Sequence, residues 1–99
     1  MKSYRITPKA KDDLFDIWSY VAADDLEAAD RLEAQLVGAF ERIASQPDLG
    51  HFRRDLTDKP VGFFLVESNY LIVYDAAAQP VEIVRVLHGA RDATSEMGE

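Results

Sequence analysis

The sequence predicts an α+β fold in which an N-terminal helical hairpin packs on one face of a small, largely antiparallel β-sheet. Three observations carry this prediction. Apolar residues recur at helical spacing through the first half, at Leu14, Ile17, Trp18 and Val21 and then at Ala29, Leu32, Leu36, Phe40 and Ile43. After Pro47 the pattern changes to short β-branched and aromatic runs bounded by turn residues. The two helical stretches are separated by only two or three residues, so they pack antiparallel.

Taken in order, Tyr4-Arg5-Ile6 reads as a short edge strand. Thr7-Pro8 then supplies an N-cap and a proline at the first helical position, where the missing N–H costs nothing. The first helix stops near Ala23, and Asp24 with Glu27 three residues on resembles a capping box for the second. That helix ends before Pro47, because the residue preceding a proline avoids the helical region. Gln46-Pro47-Asp48-Leu49-Gly50 is a turn, and residues 51–61 form an arginine-rich connection. Strands follow over 62–67, Tyr70-Leu71-Ile72-Val73-Tyr74 and Val81 to His88, with Ser68-Asn69 as a two-residue hairpin turn and a loop from Ala76 to Pro80. Strict alternation puts Glu82, Val84, Val86 and His88 on one side of the last strand and Val81, Ile83, Arg85 and Leu87 on the other. Helices on one face leave the other face of the sheet open, but both sides of this strand are mixed and periodicity does not choose between them.

Composition narrows the function. The 99 residues contain no cysteine, which excludes a disulfide framework, thiolate chemistry and zinc sites built on cysteine pairs. The length fits one domain, expected over residues 1–92, with a polar, fraying tail over 93–99. The start of the chain lacks the apolar segment of a signal peptide and no run approaches a membrane span, so a cytoplasmic location without membrane association is expected. The net charge of −7 is uneven: residues 1–11 carry +4, residues 12–49 set ten acids against Arg31 and Arg42 for −8, and residues 50–99 carry −3. An acidic whole argues against a life of non-specific phosphate contact and against direct sequence-specific nucleic-acid binding.

The densest chemical constellation is Arg85-Val86-Leu87-His88-Gly89-Ala90-Arg91-Asp92. Two guanidiniums and an imidazole at a strand end suit a phosphate or carboxylate; the plain alternative is a solvated strand end with a surface Arg-Asp pair. Arg53 and Arg54 lie in the connection after the helices, where binding residues often sit, though beside Asp55 and Asp58 they also read as a solubilising pair. Tyr70 and Tyr74 share one face of a strand, as amphipathic packing or as a recognition surface. Asp12, Asp13, Asp16, Asp24 and Asp25 are explained by a solvated helix face and helix caps, and His51 and His88 are the only histidines, so neither a metal nor a cofactor is expected. No G-x-S-x-G and no phosphate-loop glycine pattern occurs.

In this order and spacing the pieces resemble the RelE/ParE superfamily of toxins from bacterial type II toxin–antitoxin modules, on its ParE-like side. The resemblance runs from Tyr4 to Asp92 through Thr7-Pro8-Lys9-Ala10, Asp13-Leu14 to Ile17-Trp18-Ser19-Tyr20, Ala28-Ala29, Gln46-Pro47-Asp48-Leu49-Gly50 with Arg53, Tyr70 to Tyr74, and Val81 to Asp92. It implies a growth-inhibiting toxin held by a cognate antitoxin encoded nearby, in a hetero-oligomer where the antitoxin's C-terminal segment folds as it binds. ParE-like members are associated with inhibition of DNA gyrase, whereas RelE-like members cleave mRNA on the ribosome. Carried over by position, the binding residues for target or antitoxin are Arg53, Arg54, Tyr70, Tyr74, Arg85, His88, Arg91 and Asp92.

The resemblance leaves three activities to separate. A ParE-like inhibitor acting by protein binding has no catalytic residue. A ribosome-dependent endoribonuclease would use Arg85, His88, Arg91 and Tyr74. A degenerate member would bind its antitoxin without toxicity. Two departures count against the nuclease: Gly62 stands where ParE-like chains often carry an arginine, and only Lys59 lies near the sheet to assist phosphate chemistry.

Overall fold

Thr7 decides how the chain enters its first helix. Its backbone is extended, and its hydroxyl accepts from the Ala10 N–H at 3.1 Å while donating to Val84 O at 2.9 Å, so one side chain caps a helix and ties it to the last strand. The computed structural model describes residues 3–52 and 60–88. Within them the order is β1 (Tyr4–Ile6), α1 (Pro8–Ala22), α2 (Leu26–Ser45), β2 (His51–Phe52), β3 (Val61–Val66), β4 (Tyr70–Asp75) and β5 (Val81–His88). The expected tail over 93–99 lies outside the described residues.

The helices form the expected hairpin, with one correction at its turn. Asp25, not Asp24, is the N-cap of α2: its backbone is extended and its carboxylate accepts from the Ala28 N–H at 3.1 Å. The predicted stripe of α2 is buried throughout, Ala29, Leu32, Leu36, Phe40 and Ile43 being at most 9% exposed. On α1, Leu14, Ile17 and Val21 pack against the same core. The indole N–H of Trp18 donates to Asp30 at 2.9 Å and joins the two helices.

The five strands lie in the order β1-β5-β4-β3-β2; β1 runs parallel to β5 and the remaining neighbours are antiparallel. Residues 51–61 are not wholly a connection. His51 and Phe52 pair with Phe63 and Gly62, and Val61 already belongs to β3. The hairpin connection is one residue longer than expected, Glu67-Ser68-Asn69: Val66 pairs with Tyr70, the Asn69 N–H donates to Val66 O, and the residues with positive φ are Glu67 (57°) and Ser68 (61°).

The last strand departs from simple alternation. Tyr74 pairs with Ile83 and Val73 with Arg85, which leaves Val84 as the extra residue of a β-bulge. Before the bulge Val81 and Ile83 face the helices; after it Val86 does, while Leu87 joins a second cluster with Phe63 and Val73 on the opposite face. The expected grouping of Val81, Ile83, Arg85 and Leu87 is therefore broken by one inserted residue. The centre of that opposite face is not open either, since Phe63, Val73 and Leu87 are at most 7% exposed. Leu65, at 53%, is its exposed apolar residue on β3.

Candidate functional site

The site forms where the bulged end of β5 meets α1. β1 pairs with β5 only as far as Ile83, so the outer edge of the strand from Val84 onward needs other partners for its backbone groups. Thr7 takes Val84 O, and the Asp13 carboxylate accepts the Val86 N–H at 2.9 Å. The same carboxylate accepts from Arg85 Nε at 2.8 Å and Nη2 at 3.1 Å, a two-pronged pair whose side chains are 12% and 20% exposed for Asp13 and Arg85. Asp13 is thus no part of a solvated helix face. It does the work of an absent strand neighbour and fixes Arg85 in one orientation.

Beyond this pair lies a groove of about 370 Å³. It is lined by Asp13, Asp16, Ile17 and Tyr20 of α1 and by Tyr70, Val86 and His88 of the sheet. Tyr70 and His88 are cross-strand partners whose rings meet edge-to-face, centroids 5.6 Å apart. Tyr20 is 78% exposed and stands at the rim.

The structure therefore brings together Tyr70, Arg85 and His88 of the residues singled out in sequence. Tyr74 lies apart from them. It is fully buried, its hydroxyl donates to Pro47 O at 2.7 Å and accepts from Gly50 N at 2.8 Å, and it presents no surface to a partner. Burial, with the nearby charge of Asp48, raises its pKa against the opposing effect of the Gly50 bond. Arg53, Arg54, Arg91 and Asp92 lie outside the described residues. Asp13 and Asp16, read from the sequence as a solvated helix face, and Tyr20, not singled out there as a site residue, also line the groove. Their signal was present: Asp13, Asp16, Ile17 and Tyr20 follow the i, i+3, i+4, i+7 spacing of one helix face, offset by one residue from the apolar stripe.

Gly62 has a local explanation. It pairs with Tyr74, and a Cβ there would overlap the tyrosine ring, lying 2.7 Å from its hydroxyl oxygen and 2.8 Å from Cε1. A longer side chain, arginine included, has no room at this position while Tyr74 is present.

A helical hairpin on a bulged sheet whose strand end carries a clamped arginine and an aromatic–imidazole pair defines a small α+β protein with a candidate binding surface at the end of β5. Comparison with known proteins makes the assignment specific. The family model described as the ParE toxin of the type II toxin–antitoxin system parDE matches residues 4–93. Toxin ParE1 of Caulobacter vibrioides (strain ATCC 19089 / CIP 103742 / CB 15) is 33% identical over 99 residues, which span 99% of this chain and 100% of that protein. A chain of the chromosomal ParDE TA system from P. aeruginosa shares the fold, with a TM-score of 0.73 at 19% identity, over 89% of this chain and 96% of that one. The protein belongs to the ParE family of type II toxin–antitoxin toxins. No described helix is long and apolar enough to cross a membrane.

Proposed function

We propose that this ParE-family toxin arrests growth by binding its target, DNA gyrase, and that a cognate antitoxin encoded nearby neutralises it by covering the end of β5. Tyr70, Arg85 and His88 form the described part of that surface. Arg91 and Asp92 extend it in sequence, and Arg53 and Arg54 are the further candidates from the helix–sheet connection. The observation that carries a binding role over a nuclease role is the engagement of the polar groups. The Nε–Nη2 edge of Arg85 rests on Asp13, and the Tyr74 hydroxyl is held by Pro47 and Gly50. A reacting phosphate needs a cation that can reach it and a proton donor facing it, and these two groups are otherwise committed. The association of ParE-like proteins with gyrase supports that choice of target.

Inducible expression, with and without the adjacent small gene, tests the proposal together with a supercoiling assay on purified gyrase. The expected results are filamentation relieved by the adjacent gene product and supercoiling inhibited in proportion to toxin. Immediate loss of protein synthesis with cleavage at codon positions would replace it with the ribonuclease reading. Undisturbed growth at verified soluble expression would leave only an antitoxin-binding module.

A further inference from the structure

We infer that the groove between α1 and the end of β5 is a receptor for one cationic side chain, an arginine or lysine presented by a peptide. The inference deepens the reading of the strand end as a partner surface and rests on it for the identity of that partner, the antitoxin. The charge pattern of the groove supports a cation. Asp13 and Arg85 neutralise each other, so the carboxylate left to a ligand is that of Asp16, which is solvent-exposed on α1. Two of the groove's side chains are tyrosines: Tyr20 is exposed at the rim, and Tyr70 is set by its edge-to-face contact with His88. A carboxylate flanked by tyrosine rings, with Ile17 beside them for an aliphatic stem, is the pairing that recognises a guanidinium or ammonium on a flexible chain.

Long-range electrostatics act in the same direction. Residues 12–49, which include most of α1 and all of α2, carry a net −8, so a partner approaching the helices is drawn more strongly if it is basic, although Lys9 and Lys11 of α1 offset part of this. The volume of about 370 Å³ has room for an extended arginine or lysine side chain and is too small for a packed helix. This chain should therefore be met at this point by a basic residue of its antitoxin, set in whatever secondary structure the antitoxin adopts there.

The test uses the full-length ¹⁵N-labelled chain and three capped tripeptides, Gly-Arg-Gly, Gly-Lys-Gly and Gly-citrulline-Gly, titrated by NMR at low salt. The expected result is saturable shifts clustered at Asp16, Ile17, Tyr20, Tyr70 and His88 with the two cationic peptides, at a Kd of about 1 mM, and none with citrulline, which keeps the shape of arginine without its charge. Asp16→Asn and Tyr20→Ala, both at exposed positions, should each weaken the arginine peptide about two- to fivefold. Shifts spread over the acidic helices without clustering, or equal shifts with citrulline, would overturn the inference. Growth arrest and gyrase inhibition do not enter this experiment, so the groove and the toxin reading can fail separately.

Discussion

Replacing Asp13 by alanine removes three acceptor contacts at once, to Arg85 Nε at 2.8 Å, Arg85 Nη2 at 3.1 Å and Val86 N at 2.9 Å. An exposed ion pair is worth ~0–1 kcal/mol, and stranding one partner of a buried pair costs about 3–5 kcal/mol. With side-chain exposures of 12% and 20%, this pair sits between those limits, at about 2 kcal/mol. Leaving the Val86 N–H without its acceptor adds about 1 kcal/mol. The sum, about 3 kcal/mol, is a large share of the ~5–15 kcal/mol that holds a domain of this size. An unfolding entropy of about 2.1 cal/mol/K per residue turns it into a fall in Tm of about 15 °C. Thermal unfolding followed by circular dichroism measures this directly. Asp13→Asn keeps an acceptor for Val86 and should lose about half as much, while the double change Asp13→Leu with Arg85→Met should return to within about 1 kcal/mol of the parent. A fall of less than about 4 °C for Asp13→Ala would mean that solvent already screens the pair, and the clamp would cease to explain the geometry of β5.

Three other regions give checkable outcomes. Tyr74→Phe removes one donated and one accepted hydrogen bond and should cost about 1–3 kcal/mol in urea unfolding, whereas Gly62→Ala, forced against the Tyr74 ring, should cost more than about 2 kcal/mol. Ser68→Gly relieves a left-handed residue in the β3–β4 turn and should raise stability by about 1 kcal/mol; an unchanged midpoint would show that the turn is unstrained. Burial raises the pKa values of Tyr4, with help from Glu41, and of Tyr74 above the ordinary 10.0, so each contributes stability that is complete below pH 10 and is lost as pH rises through the folded value. Unfolding midpoints should therefore decline above about pH 10, and less steeply in Tyr74→Phe; a flat profile would contradict the assigned burial.

Most elements were legible because local signals agreed with one another. Thr7-Pro8 starts α1 as a cap and a proline should, the stripe of α2 is buried as its spacing requires, and β5 spans Val81–His88 as expected. The misreadings came from features that local pattern does not encode. β2 is two residues long, too short for any period to show. The β3–β4 turn places Glu67 and Ser68 at positive φ although Asn69, next in line, is the residue type that tolerates it better. Adjacent aspartates made the N-cap of α2 ambiguous by one position. The bulge at Val84 mattered most for the site. It arises from register with β4, a tertiary property, and it moved Val86 onto the helix face where Asp13 reaches its N–H. Asp13 was assigned to solvent for the same reason, because nothing next to it in sequence announces a partner 72 residues away.

That pairing also bears on what the strand end can do. A guanidinium that turns its Nε–Nη2 edge to a scissile phosphate must first leave its carboxylate, and with about 2 kcal/mol in the pair that arrangement would be populated roughly thirtyfold less than the clamped one. It would also abandon Asp13, 12% exposed, to a shortage of compensating charge. A protein partner faces no such cost if it reads the strand end as it stands, with a neutralised pair, a tyrosine and histidine packed edge to face, and Asp16 as the carboxylate open to it. Arg85→Ala and Asp13→Ala should then weaken target binding together, since each disorders the same strand edge. A nuclease would separate them: losing Asp13 would release the arginine for phosphate while losing Arg85 would remove it. Measuring both variants in the supercoiling and ribosome assays decides between a surface held rigid and a cation held in reserve.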